Sequence, residues 1–188
     1  MTALVLGLLL FLGVHSLRIV APAWREAQMA RIGRNAWRGV YSLASLAGFV
    51  LLVWGYGQAR QQPVVLWTTP TGLRHLAAPL VLVAFILLAA SQVGSNMIQA
   101  RLQHPMLLGT KLWAFAHLLA NNTLADVLLF GGFLAWAVLC FRSARRRGPV
   151  AVQVKPGRTA IAVVAGVALW AFFAFWAHAA WIGVRPFG

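Results

Sequence analysis

Five histidines and two acids carry nearly all the proton and ligand chemistry available to this strongly apolar chain of 188 residues. The histidines are His15, His75, His104, His117 and His178, and the acids are Glu26 and Asp126. Ionisable groups held inside a bilayer are costly, so each is a candidate for function. A zinc hydrolase would need a third protein ligand and, usually, a carboxylate base, and neither lies near the midplane. A di-iron carboxylate centre is excluded by the two-acid count. Haem asks for only one or two axial ligands from the protein and an apolar slot, which imidazoles on greasy helices provide. Cys140 is the single cysteine, which excludes an intramolecular disulfide and a cysteine metal cluster. No Gly-rich phosphate loop, nucleophile elbow or zinc-ligand spacing occurs, and Ser16 beside His15 is no triad because adjacent residues on a helix point apart.

The elements that must position these groups follow from hydropathy. The chain is 61% hydrophobic with a mean hydropathy of +0.79, and its apolar residues come in blocks long enough to cross a bilayer. Six such segments are expected, at about 3–20, 40–58, 73–93, 105–120, 123–141 and 159–182. The fold class is therefore all-α, a polytopic membrane helix bundle of six transmembrane helices forming a single domain over 1–188. The alternative is five spans, with the short fourth segment only re-entrant. That fourth segment starts at His104–Pro105, since proline is tolerated in a first turn, and leaves through Asn121–Asn122–Thr123. Asn and Thr suit a tight turn, and Thr123 is placed to cap the next helix, so segments four and five form a helical hairpin.

The 16 Lys and Arg fall almost entirely between apolar blocks. In a soluble chain they would point to nucleic acid, but no soluble basic domain remains once the spans are removed, so no nucleic-acid partner is expected. They read instead as topology determinants and lipid-headgroup contacts, with the bilayer as partner. One side holds Arg18 to Arg38, Arg101, Lys111 and the run from Arg142 to Arg158, while the other holds only Arg60, Arg74 and Arg185. The positive-inside rule then puts both termini on the non-cytoplasmic side. The first block lacks a basic leader and reads as a retained span. The stretch from Trp24 to Gly39 reads either as an interfacial helix or as a solvated loop.

Depth sorts the histidines. At about 1.5 Å per residue, His15 lies about 18 Å below the outer end of span one, and His117 about 18 Å above the inner end of span four. In a core of about 30 Å these levels differ by about 6 Å, so the two can face each other near the midplane. His104 and His117 are separated by about 20 Å along one helix and cannot share a metal ion. Arg18, one turn beyond His15, is placed for a haem propionate. Gly109, Trp113 and Asn121 share the His117 face at four-residue spacing, a setting suited to a porphyrin. The simpler reading of His15 and of His117 is a hydrogen bond to a neighbouring helix. For His104 it is a helix start, for His75 a headgroup-level residue, and for His178 a member of an aromatic belt.

Three motifs resemble the NnrU family of bacterial membrane proteins: GVHSLR at Gly13 to Arg18, HPMLLGTKLWAFAHLLAN at His104 to Asn121, and HAAWIGVRP at His178 to Pro186. The resemblance covers nearly the whole chain in length, order and span pattern. It implies an inner-membrane protein that accompanies denitrification, that is, nitrite and nitric-oxide metabolism. That family is in turn similar to the membrane domain of zeta-carotene isomerase, a haem b protein, which implies haem b ligation by His15 and His117 and a redox-sensing, electron-transfer or isomerase-like role. A hydrophobic small molecule and a membrane-protein partner are compatible with it. The competing expectation is a haem-free small-molecule transporter or an assembly partner of nitrogen-oxide respiration. HPMLLG also resembles the Arg-His-Pro-x-x-x-Gly motif of membrane isoprenylcysteine methyltransferases. Gln103 stands where their Arg would be and their acids are missing apart from Asp126, so S-adenosylmethionine use is not expected.

Overall fold

A computed structural model describes residues 1–187 and is helical throughout its apolar segments. In chain order the helices are α1 (Thr2–Val20), α2 (Pro22–Ile32), α3 (Arg34–Ala59), α4 (Thr71–Val93), α5 (Met97–Leu102), α6 (Pro105–Ala120), α7 (Leu124–Arg146) and α8 (Arg158–Phe172). The last continues as a π-helix over Phe173–Ile182. Each of the six expected segments is a helix. Five stretches, the α8 and π-helical one running through Arg158–Ile182, are long and apolar enough to cross a membrane. The 16 residues of α6 span about 24 Å, short of a core of about 30 Å. Large apolar side chains point outward, with Leu43 70% and Phe175 68% exposed. Water would penalise such a surface and lipid does not. The protein is an all-α, multi-pass membrane protein.

The chain forms two compact units, one of residues 1–67 and 122–136, the other of residues 68–121 and 137–188, with α7 contributing to both. In the first unit α1 and α3 pack through glycine. A Cβ at Gly7 would overlap the backbone of Leu52, one at Gly55 the backbone of Leu4, and one at Gly48 would lie 2.8 Å from the Phe11 amide nitrogen. These pairings step backwards along α3 as they step forwards along α1, which makes the helices antiparallel. Small residues let the two backbones touch, which substitutes for the hydrophobic drive that lipid removes. The first part of α7 joins them, with Gly132 against Leu8 and Leu12. Helix α2 takes up the first part of the basic segment that reads either as an interfacial helix or as a solvated loop. It ends sooner than expected because Gly33 takes φ +85°, a conformation glycine adopts at little cost, and α3 starts at the next residue. Its Trp24 meets Trp37 edge-on at 5.8 Å.

The entry to α7 is fixed by pairing between the loop after α3 and the Asn turn. Leu66 N–H donates to the Asn122 carbonyl at 2.9 Å, Leu124 N–H to the Val64 carbonyl at 2.9 Å, and the Asn122 amide to the Trp67 carbonyl at 2.6 Å. Thr123 caps α7 as expected, accepting from Asp126 N–H at 3.3 Å. Asp126 returns the bond, accepting from Thr123 N–H at 3.0 Å and from its hydroxyl at 2.6 Å. This reciprocal arrangement is a capping box.

In the second unit α4 is the common partner. Gly109 of α6 brings its Cα against the Ala84 carbonyl, where a Cβ would come within 2.9 Å. Gly166 of α8 does the same against the Ile86 backbone at 2.5 Å. Gly109 therefore serves the close packing of α6 on α4. Between α4 and α6 the chain makes a short helix, α5, which hydropathy did not reveal. Asn96, fully buried, caps it by accepting from Gln99 N–H at 2.8 Å and donates to the Ala90 carbonyl at 2.7 Å. Gln103, at φ +63°, accepts from Val150 N–H at 2.7 Å and so fastens the loop after α7.

Candidate functional site

His15 sits on α1 one turn after Phe11, and its Nδ1 lies 2.7 Å from the Phe11 carbonyl oxygen. A carbonyl only accepts, so Nδ1 carries the proton, and in the neutral ring the lone pair belongs to Nε2. Around it stand Phe11 at 4.3 Å between centroids, Tyr41 at 5.4 Å and Trp136 at 6.2 Å, the last two edge-on. Phe49 and Phe133 back Phe11 at 6.1 and 5.9 Å. Two polar atoms of this unit, Trp136 Nε1 and Ser45 Oγ, are buried without a hydrogen-bond partner. Ser45 lies one turn from Tyr41 on α3. Buried polar groups are rarely left unmade, so these two atoms are ones for which a partner is expected.

His117 repeats the same local device on α6. Its Nδ1 is 2.8 Å from the Trp113 carbonyl and its ring lies 5.0 Å from the Trp113 ring. The tautomer is again the one with the Nε2 lone pair. Asn121, also expected at the site, donates its side-chain amide to the His117 carbonyl at 2.8 Å, alongside its own N–H at 3.0 Å. Its role here is to close the end of α6 beneath the histidine. Thus Trp113, His117 and Asn121 are brought together as one column of the helix. Arg18 stands exposed in the last turn of α1. His15 belongs to the first unit and His117 to the second.

The remaining histidines are elsewhere. His75 is exposed in the first turns of α4. His104 is the N-cap residue of α6 and meets the Phe141 ring edge-on at 6.0 Å. Burial, and then the Arg147 charge, push its imidazole below the usual histidine range. His178 lies in the π-helix, its Nδ1 2.8 Å from the Val184 carbonyl, among rings in which Trp176 and Trp181 pack five residues apart at 5.7 Å. No group of three or more His, Cys, Asp or Glu able to hold a metal ion forms among the described residues.

Sequence reasoning missed the polar partners on α3. The chain has two tyrosines, and both are on this helix. Tyr41 faces His15, and the Tyr56 hydroxyl donates to Asp126 at 2.6 Å. Two tyrosines within one apolar span were the available signal. Asp126 is 5% exposed and takes three donors from Tyr56 and Thr123. Asp126→Ala is expected to lower the thermal midpoint of the purified protein, since each buried donor left without an acceptor costs about 1–3 kcal/mol. Tyr56→Phe should cost less, and in Asp126→Ala it should add little more. Additive losses in that double-mutant cycle would show that the two side chains are not coupled.

These features define a multi-pass helical membrane protein with histidines set in aromatic surroundings within its apolar helices. The chain belongs to the NnrU family: the family model described as NnrU protein matches residues 3–186. No curated protein and no solved structure matches it.

Proposed function

We propose that this membrane protein binds haem b, with His15 and His117 as imidazole ligands. The observation that carries the reading is the pair of Nδ1 bonds to the carbonyls of Phe11 and Trp113. Such a bond fixes ring orientation and tautomer and raises the basicity of Nε2, which is how metal-ligating histidines are held. The donor set fits the group, because two imidazoles are sufficient for haem and insufficient for a bare zinc or di-iron site. Haem b when bound would supply a one-electron iron centre. The chain's own part is to present the lone pairs, surround the His15 ring with Phe11, Tyr41 and Trp136, and offer Arg18 to a propionate.

Membership of the NnrU family supports the further proposal that it works in the bacterial inner membrane beside nitrite and nitric-oxide metabolism, in redox sensing, electron transfer or an isomerase-like conversion of a hydrophobic molecule. The positive-inside rule places both termini on its non-cytoplasmic side. The test is a haem titration of the full chain purified in detergent, read by Soret absorbance and pyridine haemochrome. A saturable band at fixed stoichiometry is expected. Purified protein that shows no saturable band would sink the haem reading and leave a transporter or assembly role.

A further inference from the structure

Both acids of the chain, Glu26 and Asp126, fall in the first unit, so the second has no carboxylate side chain. It nevertheless gathers cations on one ring. Lys111 Nζ lies 3.7 Å from the centroid of Phe141, and Arg145, one turn further along α7, has its guanidinium carbon 6.0 Å from the same centroid. The His104 ring closes the third side at 6.0 Å. Lys111 is half-buried and makes no hydrogen bond or ion pair among the described residues.

A ring face attracts an ammonium but accepts none of its three N–H groups in full. Two cations drawn to one ring also repel each other, and with no carboxylate side chain in the unit neither is neutralised by an Asp or Glu there. The place says which anion. Phe141 is near the end of a helix long and apolar enough to cross the membrane, followed at once by the run Arg142 to Arg147. Exposed Leu102 and Met106 flank His104 in sequence and offer apolar surface for acyl chains. Lysine meets a phosphate as a point charge and arginine as a fork.

We propose that Lys111 and Arg145, gathered on the Phe141 ring beside His104, bind the phosphate of an anionic phospholipid. Basic pockets at helix ends recognise such headgroups, and each nearby cation adds to the attraction. The test is native mass spectrometry of the full chain from nanodiscs holding equal phosphatidylglycerol and phosphatidylcholine. About a thirtyfold preference for retained phosphatidylglycerol is expected from two cations. Lys111→Met with Arg145→Gln should abolish it, while Arg25→Gln with Arg31→Gln, which removes the same charge from α2, should not. Phe141→Leu keeps every charge and should still weaken retention, which covers failure of the double variant to fold. Equal retention of the two lipids, equal loss in the α2 control, or displacement of phosphatidylglycerol by excess inorganic phosphate would overturn the assignment.

Discussion

Alanine at His15 or at His117 is expected to remove the Soret band of haem-reconstituted protein, while alanine at His75 or His178 leaves it in place. The expectation rests on where the lone pairs are. Nδ1 of His15 and of His117 lies against a carbonyl one turn back on its own helix, which puts the lone pair of the neutral ring on Nε2, the nitrogen proposed to meet iron. His178 has a carbonyl partner too, but a distant one, Val184, beyond the end of its helix. Loss of an outer partner of a ligating histidine costs about 10–100-fold in affinity, so loss of the ligand itself should cost more. Trp113→Phe, Asn121→Ala and Arg18→Gln should each weaken binding without abolishing it. Added imidazole should restore part of the band in either alanine variant by filling the vacated position. The stoichiometry of the loss reports the ligand set: complete loss from each single variant means both rings serve one iron. A band that survives both single changes unchanged would remove His15 and His117 from the site.

Much of this framework was legible in the chain because hydropathy and helix-end chemistry are local. All six expected segments are helices, α6 runs over Pro105–Ala120 as His-Pro and the Asn pair required, and Thr123 caps α7. What escaped depended on partners distant in sequence or on very short elements. Helix α5 has six residues, too few for an apolar period, and its cap Asn96 is marked only by its position after Gly94–Ser95. The π-helix over Phe173–Ile182 has the composition of any apolar helix, so nothing in its residue types separated it from α8. Gly109 fitted a face shared with His117, and its packing on the Ala84 carbonyl of α4 could not be read from that spacing. Asp126 has its partner in Tyr56, 70 residues away, which no local pattern could pair with it. His15 was found from its depth in the helix, but its setting beside Tyr41 of α3 and Trp136 of α7 comes from two other stretches of chain.

The seam that creates that setting is itself open to a sharp test. Gly7→Ala and Gly55→Ala are expected to be among the most damaging small substitutions in the protein, although each adds one methyl group. At both positions the new carbon would overlap main chain, Leu52 in one case and Leu4 in the other, and main chain cannot turn aside as a flexible side chain can. Overpacking costs about 1–3 kcal/mol and sometimes more. At about 2–4 °C per kcal/mol for a chain of this size, each variant should lower the thermal midpoint by roughly 5–10 °C, and the leucine variants should fail to accumulate. Gly13→Ala and Gly57→Ala lie on the same two helices with nothing within 4 Å of the added carbon, so they should be neutral or slightly stabilising. If Gly7 and Gly55 prove as tolerant as Gly13 and Gly57, the close antiparallel approach of α1 and α3 is wrong. Gly48→Ala joins this packing to the histidine. Its added carbon would press on the amide of Phe11, the residue whose carbonyl orients the His15 ring. Its effect should therefore appear in the position and width of the Soret band as well as in stability, whereas Gly7→Ala, two turns away from His15, should act on stability alone.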